Sequence, residues 1–303
     1  MSLLMNNTHP FSFELAQNWQ EYDLLDSGDG KILERFGKKL LSRPYPQAFW
    51  AKSAPELWKQ AHARFQADVH DFGGQWLTED NAQKSWHLRW DKIRLQTQLG
   101  ASQHIGIFPE EINQWLWLQK QIESAQKPVK LLNLWAYTGA INLVATQSGA
   151  EATHVDSSKH GIGWAMANQK LSNMKDAPIR YIQEDPLKFI KREARREKLY
   201  NALVFHFPRF EAENELAYKD FLKQLPELLE AINAVLDPNL QCLLVTAPTC
   251  IHPNTCHEIA RALTNKPPQT EVIQSGQIAS LEKSSGKTLP RASFSRWSAS
   301  TNR

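Results

Sequence analysis

The residues best suited to chemistry stand where runs of apolar residues stop. "NALVFHFPRF" (201–210) carries an apolar run, Ala202 to Phe205, straight into His206, Phe207, Pro208 and Arg209. An imidazole accepts or donates a hydrogen bond near neutral pH, so His206 is a candidate catalytic group, with Pro208 beside it. Phe207 is of a type that stacks on planar, unpaired bases, and Arg209 is the second substrate-facing candidate. A drift to residues that merely pack would produce the same pattern.

Three other chain stretches end in the same way. "LLNLWAYTGAINLVA" (131–145) places one glycine, Gly139, between a strand-like and a helix-like segment. Such a turn lets backbone approach a nucleotide-like ligand, and the helix N-terminus offers unpaired amides. It also reads as a plain helix-initiating turn, since no G-x-G-x-x-G is present. Asp156 follows Asn133 by 23 positions, near the spacing at which a carboxylate accepts from ribose hydroxyls. Asp is equally a favoured helix N-cap. Asp185 stands just before Pro186 at the end of "RYIQED". A glycine turn and two aspartates at consecutive strand ends are more specific together than any one alone.

These tips imply the elements that hold them. Strands are expected over 131–135, 152–155, 179–183, 202–205 and 240–245. Helices are expected over 141–149, 159–171, 186–198 and 217–235. Alternation of this length predicts a parallel sheet covered on both faces. Two later strands, 271–277 and 291–297, are placed to close it as a hairpin. Residues 20–100 have a different texture. "YDLLDSGDGKILERFG" predicts two strands joined at Ser27–Gly30. "KSWHLRWDKIRLQTQ" predicts one more strand, and 55–70 a helix. The expected organisation is therefore a small β-rich domain over 1–100 and an α/β domain over 101–303.

The composition fits such a globular chain. Of 303 residues, 42% are hydrophobic and 22% charged, and the net charge of +3 permits an anionic partner without demanding one. Eight of the eleven tryptophans lie between Trp19 and Trp117, a distribution that suits a core better than a base-stacking platform. Three cysteines cannot all pair and the start lacks a signal-peptide pattern, so a reduced, cytoplasmic setting is expected. No run of about 18 apolar residues occurs, so no membrane partner is expected. Cys250, His252, Cys256 and His257 match no standard zinc spacing, and no metal is expected. "KFIKREARREK" (188–198) holds six basic and two acidic residues, which predicts a solvated helix face more readily than an RNA phosphate contact.

"LLNLWAYTGAINLVATQSGAEATHVDSSKHGIGWAMANQKLS" resembles the start of a class I S-adenosylmethionine-dependent methyltransferase. More narrowly, it resembles the branch of the large-subunit ribosomal RNA cytosine-C5 methyltransferases and their uncharacterised relatives, whose first motif reads N-L-F-x-Y-T-G. "HIGIFPEEINQW" (104–115) and the segment from Tyr22 to Trp50 are similar to that branch as well. The resemblance implies a Rossmann-like fold, S-adenosyl-L-methionine as cofactor and RNA as partner. It implies that Tyr137, Thr138 and Gly139 flank the methionine part, that Asp156 holds the ribose and that Asp185 sits beside the adenine, with Asn133 and Ser157 as further cofactor-binding residues. The branch ends its fourth strand in D-P-P-K-F, and this chain has H-F-P-R-F there. Cys250 falls near the branch's nucleophilic cysteine, one residue off, where chance placement is the simpler account. An RNA methyltransferase is thus expected. A catalytically silent homologue and a protein or small-molecule methyltransferase stand as the alternatives.

Overall fold

The computed structural model describes residues 11–68, 73–78, 83–208, 215–264 and 273–299. The first part of the chain runs β1 (Ser12–Leu15), β2 (Tyr22–Gly28), β3 (Lys31–Phe36), β4 (Lys39–Pro44), α1 (Pro55–Lys59), β5 (Ala63–Ala67), β6 (Gly74–Thr78), β7 (Ser85–Trp90) and β8 (Ile93–Gln98). A 3-10 turn at Pro109–Glu111 leads into α2 (Ile112–Glu123). Strand–helix alternation then follows as β9 (Lys130–Leu134), α3 (Ala140–Gln147), β10 (Glu151–Asp156), α4 (Lys159–Leu171), β11 (Ile179–Gln183), α5 (Pro186–Arg195), β12 (Ala202–His206), α6 (Glu215–Val235), β13 (Cys242–Pro248) and α7 (Pro253–Leu263). The hairpin strands β14 (Gln274–Leu281) and β15 (Thr288–Ser298) end the described chain.

The large sheet has the order β1-β14-β15-β13-β12-β9-β10-β11. Strands β9 to β13 are parallel, and β15 enters antiparallel to both β13 and β14. Leu131–Leu134, Ala202–Phe205 and Cys242–Ala247 are continuously buried, the pattern of strands covered on both faces. The strand order reverses at β9, whose neighbours are β10 and β12. At such a reversal the connections leave to opposite faces, so a crevice opens at the carboxyl ends of the strands.

The N-terminal residues build a five-stranded sheet, β2-β3-β4-β5-β6, and the separate hairpin β7–β8. The β2–β3 turn has Asp29 at φ 52° and Gly30 at φ 70°, the left-handed pair that a two-residue hairpin loop needs. Two expectations do not survive. Among the described residues of the helix expected over 55–70, only Pro55–Lys59 is helical, and Ala63–Ala67 pairs with β4 and β6 instead. Residues 85–98 form two strands rather than one, folded back at Asp91, whose φ is 49°.

The two parts are interlocked. β1 pairs in the large sheet, beside β14. Glu34 on β3, fully enclosed, holds Arg43 at 2.6 Å and Arg291 of β15 at 3.0 Å. One apolar cluster runs from Trp19 through Leu95 and Ile105 to Leu131, Leu244 and Leu289.

Candidate functional site

β9 is followed by the turn 135–139, in which Trp135 (φ 53°), Tyr137 (φ 46°) and Gly139 (φ 76°) are left-handed. For the two non-glycine residues that conformation costs on the order of 1–3 kcal/mol each, so the surroundings must hold it. They do. Ala136 N donates to Val155 O at 3.1 Å, and Gly139 N to Ala136 O at 3.0 Å. Tyr137 N donates to Asp156 Oδ2 at 2.8 Å. Thr138 Oγ1 donates to Gly106 O at 2.7 Å, and Asn168 Nδ2 to Thr138 O at 2.9 Å. At Gly139 a Cβ would lie 2.9 Å from Ala165 Cβ and 3.3 Å from His154 Nδ1, so only glycine fits.

Asp156 ends β10 and is buried. Its second oxygen accepts from Ser158 N at 2.8 Å. Burial raises its carboxyl above the usual range, and the two amide bonds partly offset that. Beneath the turn, Asn133 Nδ2 donates to Asn142 Oδ1 at 2.8 Å, and Asn142 Nδ2 lies 2.7 Å from His154 Nδ1. With Asn142 donating, His154 keeps its proton on Nε2.

The β12 tip stands across the crevice. His206 is half-buried, with Nδ1 2.8 Å from Thr246 Oγ1 on β13. The Phe207 ring is committed to the core, 4.9 Å from Phe221 and 6.4 Å from Phe205. Gly106, Phe108 and Glu111, from the segment before α2, and Trp115, in the first turn of α2, cover the crevice. Together these groups line one cavity of about 410 Å³. That lies within the ~300–1,000 Å³ of small-molecule sites. Its titratable walls are two carboxyls, Glu111 and Asp156, two imidazoles, His104 and His206, and the Tyr137 phenol.

Seven of the residues singled out from sequence line this cavity: Tyr137, Thr138, Gly139, Asp156, His206, Phe207 and Pro208. Asn133 lies fully buried beneath the floor. Ser157 is exposed beside Asp156 and is not part of the lining. Asp185 is exposed too, caps α5 by accepting from Lys188 N at 3.0 Å, and stays off the lining. Cys250 is exposed and outside the lining. Arg209 lies outside the described residues. Cys256 is buried, His252 caps α7, and His257 Nδ1 lies 3.0 Å from Ser275 Oγ, so those three serve packing. Among the described residues no group of three or more His, Cys, Asp or Glu side chains is arranged to hold a metal ion. On the basic helix Lys191 pairs with Glu227, Arg192 with Glu184 and Arg196 with Glu193, which neutralises much of that face. The cover residues all fall in 104–115, the segment whose likeness to the methyltransferase branch is visible in the sequence. The β13 tip, Thr246 to Pro248, was not singled out from sequence; its position after a fifth apolar run is the signal that would have found it.

No family model matches the chain. A solved S-adenosylmethionine-dependent methyltransferase from Agrobacterium tumefaciens is 34% identical and superposes with a TM-score of 0.85, covering 96% of this chain and 94% of that one. The chain belongs to the S-adenosylmethionine-dependent methyltransferases. A putative methyltransferase of the same kind from Streptococcus mutans shares the methyltransferase's fold at a TM-score of 0.68 and 16% identity, over 92% of this chain and 75% of the other. Among curated proteins, this methyltransferase is 29% identical over 123 residues to the ribosomal RNA large subunit methyltransferase K/L of Shewanella frigidimarina (strain NCIMB 400), covering 40% of this chain. It is 36% identical over 75 residues to the protein of that name from Pseudoalteromonas translucida (strain TAC 125), covering 24% of this chain. It spans only 17% and 11% of the length of those two relatives. Among the described residues of the methyltransferase, no helix is long and apolar enough to cross a membrane.

Proposed function

We propose that the cavity binds S-adenosylmethionine between Gly139 and Asp156 and presents its methyl group to an RNA base beside His206. Bound there, the cofactor supplies an electrophilic methyl on a sulfonium. The observation that carries this reading is that the glycine turn, the buried Asp156 carboxylate and the His206 imidazole all wall one 410 Å³ cavity.

The site fits the cofactor on its own chemistry. Ala140 and Ile141, in the first turn of α3, line the cavity, and helix-opening amides have no intrahelical partner. The left-handed turn brings backbone rather than side chain to the ligand. Asp156 accepts one bond on each oxygen, and each oxygen keeps a lone pair for a ribose hydroxyl. Asn133 acts from below, through Asn142 and His154, as part of the turn's support. Across the cavity, Thr246 fixes the ring plane of His206. When His206 Nδ1–H donates to Thr246 Oγ1, Nε2 is the basic ring nitrogen, the type of atom that takes a proton from a base that loses one on methylation.

The RNA acceptor rests on the likeness to proteins named as ribosomal RNA methyltransferases. A cytoplasmic setting accords with such an acceptor. The H-F-P-R-F sequence at the β12 tip supports one competing reading, a homologue that binds the cofactor without transferring its methyl group.

The test is calorimetric titration of S-adenosylmethionine into the wild type and Asp156→Ala, followed by radiolabelled cofactor with total RNA from a strain lacking the gene. Tight binding, weakened in Asp156→Ala, with label in RNA is the expected result. Label in protein or small molecules instead changes the acceptor class. Binding without transfer to any of them makes the chain silent, and absence of binding overturns the reading.

A further inference from the structure

The outer edge of β8 has no strand beside it, yet its backbone is satisfied. Side chains of α4 take the place of a partner strand. Ser172 Oγ accepts from Arg94 N at 2.9 Å and donates to Arg94 O at 3.0 Å. Asn168 Oδ1 accepts from Gln96 N at 2.8 Å, and Trp164 Nε1 donates to Gln96 O at 3.0 Å. Gln98 N donates to Ile105 O at 3.1 Å. Trp164, Asn168 and Ser172 are spaced four apart and lie on one helix face. All three are buried.

The middle rung differs from the other two. Asn168 Nδ2 reaches past the hairpin and donates to Thr138 O at 2.9 Å, inside the left-handed turn. Gln96 N–H can only donate and Thr138 O can only accept, so one side chain must present an acceptor and a donor in fixed opposition. A carboxylate has no donor, an aliphatic side chain has neither, and glutamine is one methylene longer. The residue type at 168 is thus set by two backbone groups that are 42 positions apart in sequence.

We propose that Asn168 is a positioning residue for the cofactor: it holds the Thr138 carbonyl, and with it the 135–139 turn, against the β7–β8 hairpin. The inference rests on the reading that this turn holds S-adenosylmethionine. It gives the N-terminal hairpin a role in the site without any hairpin residue lining the cavity. A purely structural rung predicts something different, and Ser172 is the internal control. Ser172→Ala removes two bonds to the same strand and none to the turn.

The experiment is calorimetry with S-adenosylhomocysteine on full-length wild type, Asn168→Asp, Ser172→Ala and Asp156→Ala. Asn168→Asp keeps the acceptor for Gln96 N and loses the donor to Thr138 O. Its expected effect is at least tenfold weaker binding, which corresponds to about 1.4 kcal/mol. Ser172→Ala is expected to bind within about twofold of wild type while melting at a lower temperature. Equal weakening in both variants, or wild-type binding in Asn168→Asp, overturns the inference. Weak binding in Asp156→Ala alongside unchanged Asn168→Asp overturns it and leaves the site reading standing. Wild-type affinity in Asp156→Ala instead removes the site reading. A measurement on the wild type needs no variant to fold: S-adenosylhomocysteine should slow hydrogen exchange at the Gln96 amide together with Tyr137 and Gly139. Slowing at the turn with none at Gln96 overturns the coupling.

Discussion

Asp156 Oδ2 accepts from the backbone N–H of Tyr137 at 2.8 Å, so the buried carboxylate at the tip of β10 holds the left-handed turn that follows β9. One side chain serves two neighbouring strand tips. On the proposed reading, Asp156→Ala removes a ribose contact and loosens the turn at once. The expected loss of S-adenosylmethionine affinity is tenfold or more, about 1.4 kcal/mol or above. Asp156→Asn keeps one accepting oxygen and should fall between the two. Equal affinity in all three proteins by calorimetry would remove Asp156 from the site.

His206 and Thr246, 2.8 Å apart on adjacent parallel strands, stand on the side proposed for the methyl acceptor. His206→Ala should lower the transfer rate by about 10²–10⁴-fold, the usual range for a positioned acid–base group, and leave cofactor affinity nearly intact. Thr246→Val should lower it less, because the ring stays and only its fixed orientation goes. Single-turnover transfer and binding, measured on the same preparations, separate the two effects. Unchanged transfer in His206→Ala would take the imidazole out of the chemistry.

Cys250 is exposed and lies off the cavity wall. Cys250→Ser should leave both transfer and cofactor affinity within about twofold of wild type. A variant that binds cofactor but no longer transfers would restore the thiol as a nucleophile, by the mechanism of cysteine-dependent C5 methylation.

Much of the α/β core is legible in the sequence because its central strands β9, β12 and β13 are apolar runs and strand-like and helix-like segments alternate along it. Ile179–Gln183 and Lys159–Leu171 fall at the expected limits. Gly139, Asp156 and His206 are legible for the same reason: they stand where those runs stop. The residues missed depend on partners far along the chain. Asn168 is an ordinary mid-helix amide until folding brings Gln96 and Thr138 to its two ends. Gly106 looks like a loop glycine until Trp164 packs where its Cβ would be, 2.1 Å away. Residues 63–67 look helical alone, but pairing on both sides, with β4 and β6, overrides local preference.

Glu34 is the buried link between the N-terminal sheet and β15. Burial alone would raise its carboxyl, but the guanidinium groups of Arg43 and Arg291 outweigh that and hold it below the usual range. Glu34→Gln removes the carboxylate that both enclosed guanidinium groups contact directly, leaving Glu110 as the nearby carboxylate beside Arg291. A loss of about 3–5 kcal/mol is expected, as for other broken buried pairs. Urea unfolding at pH 7 reads it directly; a loss under about 1 kcal/mol would mean that the cluster contributes little to the lock.

His154 supplies the clearest pH signature. Its ring is fully enclosed beneath the Gly139 turn, with Nδ1 facing the Asn142 amide. Burial, with His206 adding a smaller repulsion, pushes it down to about 3. The native imidazole is therefore neutral across the whole range in which an unfolded one takes up a proton. The stabilisation is complete above the ordinary value near 6.5 and declines as pH falls toward about 3, at about 1.4 kcal/mol per pH unit. By pH 5.5 the loss should reach about 1.4 kcal/mol, where carboxyl groups in the ordinary range are still ionised. His154→Gln carries no such proton. Whatever its stability at pH 7, its decline between pH 6.5 and 4.5 should be shallower than that of wild type by one proton. Urea unfolding at half-unit steps gives both slopes. Parallel curves would show that the imidazole is protonated in the folded protein and that the Asn133–Asn142–His154 chain does not hold it neutral.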